Sequence, residues 1–227
     1  LNDILQIREI CYGEFPEICG LNPRFKPKSK KVKVVIDVLV PESQWGGQDL
    51  SSAFGRLMKL LPSLERHQCG EHLLEDLKSG TRDFRSQHPD RITDIAHMME
   101  HVMIDLQTNI TGMDSCSGIT CGYKNPSSRF DLFVECRDKK VGVFSALLAT
   151  DLLKALLAKK ILSGRFRALI GLAKYLYANK SLLQLAQLEP LVSRISTEFG
   201  WKRRFVLSLL GKLRQFGFVA ARHSRVA

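Results

Sequence analysis

Ile92-Thr93-Asp94-Ile95-Ala96-His97-Met98-Met99-Glu100-His101-Val102-Met103-Ile104-Asp105-Leu106 is the stretch from which the rest of the chain is read. Ile92, Ile95, Met99, Val102, Met103 and Leu106 recur at helical spacing, so residues 91–108 are expected to form a helix with a buried apolar face. On that helix His97 and His101 stand at i and i+4, one turn apart on the same side, with Glu100 beside them in H-x-x-E-H order. Two imidazoles so placed aim ring nitrogens at one cation, and Zn2+ is the ion the pattern points to. With this spacing the carboxylate accepts a proton from a water that zinc has acidified, and the hydroxide attacks a peptide carbonyl. Glu100 is thus the expected general base and amide hydrolysis the expected chemistry. The bland alternative is a pair of satisfied histidines and a carboxylate that bind nothing. Histidine makes up only 6 of 227 residues, which makes a chance match rare.

Around this helix, strand and helix signals alternate. Ile4 to Cys11 and the β-branched Val32 to Leu39 read as strands, separated by a basic loop from Arg24 to Lys33. Leu50 to Leu61 has helical spacing and stops at Pro62, and a helix is expected at about 71–79. The zinc helix ends near Gly112, and a Gly- and Ser-rich loop is expected to run to Ser128. Arg129 to Arg137 alternates as a half-buried strand, and a long helix covers about 142–158. The order predicts an α+β domain over residues 1–158, a mainly antiparallel sheet covered by helices. A small helical domain follows at 161–227.

Composition bounds the rest. With 44% hydrophobic and 25% charged residues the chain can build a core, and no apolar run approaches a membrane span. The chain opens on Leu1 without a secretory signal, and its six cysteines include no C-x-x-C pair, so a cytoplasmic protein with reduced thiols is expected. Cys116 and Cys121 are read as structural thiols rather than a second metal or redox site. The net charge of +11 is unevenly spread: residues 161–227 hold 12 Lys/Arg against Glu189 and Glu198, a balance of +10.

Several stretches together resemble a known family. Leu60-Leu61-Pro62-Ser63-Leu64-Glu65-Arg66-His67-Gln68-Cys69, then Leu77-Lys78-Ser79-Gly80-Thr81, His97 to Gln107, Gly112-Met113 and Phe133-Val134-Glu135 are similar to the amino-terminal domain of cyanophycin synthetases. The resemblance covers roughly residues 1–158. It implies binding of a polymer with an aspartate backbone and arginine side groups and, as in some members, a zinc peptidase site that cuts it. The family's ATP-grasp and Mur-ligase-like domains have no counterpart here, and no G-x-x-x-x-G-K-[ST] loop is present, so these residues alone are not expected to be a synthetase. Where the family has a Gly- and Arg-containing loop, this chain has Cys116-Ser117-Gly118-Ile119-Thr120-Cys121-Gly122.

A catalytic zinc usually takes three protein ligands. Asp131, Phe133, Glu135 and Arg137 share one face of their strand, and Glu135 aligns with an acidic position that the resemblance offers, so Glu135 is the expected third ligand. The competing reading makes it an exposed strand carboxylate. Asp114 and Asp131 stand in reserve, and surface or supporting roles are expected for His67 and His72.

In the basic tail, Arg165 to Tyr177 is amphipathic, a second helix is expected over Leu182 to Leu188, a third begins near Pro190 and ends at Phe199-Gly200, and Lys202 to Phe216 forms a fourth. With the apolar Phe218-Val219-Ala220 after it, this resembles a winged helix-turn-helix domain whose recognition helix opens on Lys202-Arg203-Arg204, the expected nucleic-acid contacts. The alternative is a docking or homo-oligomerisation unit with a solvated basic face. Two functions therefore compete: a zinc metallopeptidase acting on an Asp/Arg polymer or peptide, and a non-catalytic nucleic-acid-binding regulator or polymer-binding protein whose body only senses or binds.

Overall fold

Val32, Val34, Ile36 and Val38 place β-branched side chains along one face of a pleated segment, and strand β2 (Lys31–Val38) forms around them. In the computed structural model, which describes residues 4–39, 47–67, 88–160, 164–184 and 188–219, this strand is central. It pairs antiparallel with β1 (Leu5–Gly13) on one side and with β4 (Arg129–Glu135) on the other. A further strand, β3 (Gly118–Gly122), lies outside β4, so the four-stranded antiparallel sheet runs β1-β2-β4-β3. The expected loop over 112–128 is corrected here. Glycines at both ends of β3 hide its strand character, which comes from pairing with β4 from Gly118↔Val134 to Gly122↔Phe130.

The two faces of the sheet are covered differently. Val32, Val34, Ile36, Leu132 and Val134 join the main core beneath two long helices, α2 (His88–Thr111) and α3 (Lys139–Leu157). Asp138 caps α3, its carboxylate accepting from the backbone N–H groups of Lys140 and Val141. The helix comes so close to the sheet at Gly142 that a Cβ there would stand 2.5 Å from Cys136 Sγ. On the opposite face Phe133 packs with Ile18 and Phe25, carried by a 3-10 turn (Pro16–Gly20) and the loop after it. Helix α1 (Gly47–Leu60) runs to the edge of Pro62, where a 3-10 turn (Pro62–Arg66) replaces it. The helix expected at 71–79 lies outside the described residues.

Beyond residue 160 the described chain is helical: α4 (Gly164–Ala178), α5 (Leu188–Phe199) and α6 (Arg203–Gln215). Of the helix expected over 182–188, residues 182–184 belong instead to a 3-10 turn (Lys180–Gln184), 185–187 lie outside the described residues, and Leu188 opens α5. These helices share the body's apolar cluster through Leu169, Leu172, Leu176, Leu209 and Leu213. Phe216 and Phe218 set their rings 5.9 and 5.0 Å from Phe144 of α3, and Lys212 pairs with Asp151 at 2.7 Å. The step in charge near residue 160 is thus not a break in the core. No described helix is long and apolar enough to cross a membrane.

Candidate functional site

The apolar period of α2 seats Ile95, Met99, Val102 and Leu106 in the core, and the same packing encloses its polar residues. His97 is 9% exposed, and Glu100 and His101 are each 4% exposed. The His97 and His101 rings stack with centroids 4.8 Å apart, as i and i+4 neighbours must. A third imidazole, His67 at the end of the Pro62–Arg66 turn, comes within 5.7 Å of the His101 ring. Both ring nitrogens of His101 are buried without a hydrogen-bond partner, as is Nδ1 of His67. Burial first, then the neighbouring His97 and His67, pushes the His101 pKa down to about 3, so the ring is neutral and its lone pair is available to a cation. His67 Nε2 faces Asp105 Oδ1 at 3.5 Å, while Asp105 Oδ2 accepts from Asn109 at 2.9 Å.

Glu100 is held from the sheet side. The Thr120 hydroxyl on β3 donates to its Oε2 at 2.6 Å, a charge-assisted bond. Gly118 makes room for the same carboxylate, because a Cβ at 118 would stand 2.4 Å from Oε1. The departing loop sequence thus supplies both the donor and the space for the proposed base. Thr120 and Gly118 carry no catalytic signature in a sequence, and the only clue to them was the stretch's departure from the family pattern.

Glu135 is placed differently. On β4 it shares a face with Phe133 and Asp131, whereas Leu132 and Val134 face α2, so strand alternation turns it from the face on which Thr120 meets Glu100. Its Oε1 accepts from the Ser29 hydroxyl and its Oε2 from the Ser117 N–H, both at 3.2 Å. It still borders the same space as the histidines: a cavity of about 1220 Å3 has His67, His101 and Glu135 in its wall, with Arg24, Lys26, Arg66, Arg137 and Asp114. A smaller one of about 370 Å3 reaches His97, Glu100, His101 and Thr120. Among the described residues no three His, Cys, Asp or Glu side chains are gathered as a metal-ligand set. The donor chemistry fits zinc at the histidine pair, with a third donor still to be supplied from the cavity wall.

Of the two reserves, Asp131 is engaged elsewhere, while Asp114 stays on the wall of the larger cavity. Asp131 pairs with Lys33 at 2.8 Å and accepts from the Tyr123 hydroxyl, Asp114 is exposed, and His72 lies outside the described residues. Cys116 and Cys121 are free thiols, both with pKa raised chiefly by burial. In the tail, Lys202 occupies the N-cap position of α6, Arg203 pairs with Glu189, and Arg204 is exposed.

The family model described as the cyanophycin synthase-like N-terminal domain matches residues 33–158 of the chain. No curated protein matches it.

Proposed function

Because the chain belongs to the cyanophycin synthase-like N-terminal domain family, we propose that it is a zinc-dependent metallopeptidase that hydrolyses amide bonds in an Asp/Arg polymer of the cyanophycin kind or in peptides of that composition. The observation that carries this reading is the buried row of His97, Glu100 and His101 opening into a cavity, with both His101 nitrogens unpartnered. His97 and His101 would hold the metal. The third donor would be Glu135 or His67. His67 has a buried, unpartnered Nδ1 and a carboxylate, Asp105, behind its other nitrogen, as liganding histidines commonly do. Zinc, when bound, would supply Lewis acidity, bringing the pKa of water towards neutrality and polarising the amide carbonyl.

The chain's own residues do the remaining work. Glu100 accepts the proton of the attacking water and returns it to the leaving nitrogen, with Thr120 holding Oε2 so that the carboxylate does not rotate away. Arg24, Lys26, Arg66 and Arg137 line the larger cavity and pair with substrate carboxylates, while Asp114 suits a guanidinium group.

Zinc per chain and polymer cleavage, measured together, test the reading. Native protein should carry about one zinc, which His97→Ala loses. Glu100→Gln should keep the zinc and lose at least about a hundredfold in cleavage rate. Whichever of His67→Gln and Glu135→Gln loses the metal identifies the third ligand. Turnover surviving in Glu100→Gln would overturn the mechanism, and a native chain that takes up no zinc would overturn the metal.

A further inference from the structure

The cations of the C-terminal helices divide into two groups by where they point. Helices α4 and α6 carry seven Lys/Arg and no Asp or Glu. Some of these seven hold the helices to the body: Arg167 donates to the Lys59 carbonyl and Lys212 pairs with Asp151. Of the rest, Arg203 and Arg204 are exposed at the start of α6, and Arg165 and Lys174 are exposed on α4. Val206, Leu209, Leu210 and Leu213 form its buried face, and Arg204, Ser208, Gly211 and Gln215 run along the opposite side at i, i+4, i+7 and i+11. Arg204, Gly211 and Gln215 are exposed, and Arg165 of α4 reaches across to donate to the Ser208 hydroxyl at 2.6 Å.

The way α6 is presented matters as much as its charge. Only Gly200, Trp201 and Lys202 separate it from α5, and Gly200 takes φ +65°, a conformation that favours glycine. Trp201 stacks on Phe199 with centroids 4.3 Å apart and meets Phe205 edge-on at 5.4 Å, so the turn is packed. The result is two helices joined by a packed three-residue turn, the second buried on one face and exposed on the other.

We propose that this outer face of α6 is a duplex DNA-binding surface: Arg204, Ser208, Gly211 and Gln215 enter the major groove, and Lys202 and Arg165 contact the flanking phosphates. Charge complementarity identifies a polyanion, since the face has no carboxylate of its own and the nearby Glu189 is already paired with Arg203. A protein partner would call for an apolar centre to the patch. Among the described residues, the exposed large hydrophobics Leu21, Leu39 and Tyr123 all lie in the body instead. A single convex helix bearing short and polar side chains suits a groove about 12 Å wide. This surface does not depend on the peptidase reading.

Fluorescence anisotropy of the full chain with a labelled mixed-sequence duplex of about two helical turns, titrated over a range of salt, tests it. Affinity should fall linearly on a log–log plot; Lys202→Gln, which removes a phosphate contact, should reduce the slope by about one, and Arg204→Gln, which removes a groove contact, should weaken binding about tenfold. Gln215→Glu should weaken binding about tenfold. Lys28→Gln, which removes one charge from an exposed loop of the body, should leave affinity within about twofold, as expected for a cation outside the interface. The proposal is overturned if the duplex does not bind at low salt, if Lys28→Gln weakens binding as much as Arg204→Gln, or if polyglutamate competes as well as unlabelled duplex.

Discussion

His101 sits where a proton is costly: its ring is buried on α2, and two other imidazoles stand beside it. An unfolded chain protonates this ring near its ordinary value of 6.5, whereas the folded, metal-free chain does so only near 3. Between those values the unfolded state binds more protons, so stability falls as the pH is lowered through the window, by up to about 1.4 kcal/mol per pH unit. Thermal melts of chelated protein from pH 7 to 4 should show that decline, and His101→Gln should flatten it. An unchanged slope in the variant would place the acid sensitivity elsewhere. The i, i+4 pair and Glu100 were legible in the sequence because helical spacing is local. His67 was not, because it reaches His101 only through the fold of the Pro62–Arg66 turn.

At the scale of elements, the point of closest approach is where β3 crosses Glu100 of α2. Gly118→Ala would drive a methyl group into the carboxylate, 2.4 Å from Oε1, and push it off the Thr120 hydroxyl. The atom struck is the end of a flexible side chain, so the melting temperature should change little while cleavage falls sharply. Measuring both on one preparation checks this, and full activity in the variant would remove β3 from the site. The described helices and long strands of the body were readable from periodicity, since Val32 to Val38 and Ile92 to Leu106 each show their buried side directly. β3 escaped because five residues bounded by glycine have no pattern of their own until β4 pairs with them. The same alternation that made Glu135 a candidate ligand also decided its face, and sequence alone does not say which face of a sheet a helix covers.

For the whole molecule, the continuous core across residue 160 predicts cooperative behaviour. Phe144 with Phe216 and Phe218, Asp151 with Lys212 and the shared leucines tie α3 to the C-terminal helices. Calorimetry of the full chain should therefore give a single unfolding transition, and cutting the chain after residue 160 should lower the body's melting temperature by exposing the apolar surface those helices cover. Two separate transitions, with the body unchanged by the cut, would show two independent domains. The sequence by itself determined the α+β class, the family resemblance and the one-turn spacing of His97, Glu100 and His101, because each depends on residues near one another in the chain. Tertiary structure alone decided that Thr120 holds the carboxylate and Gly118 leaves room for it, that His67 joins the histidines and that Glu135 turns to the other face of the sheet. Those contacts join residues far apart in sequence, and only packing brings them together.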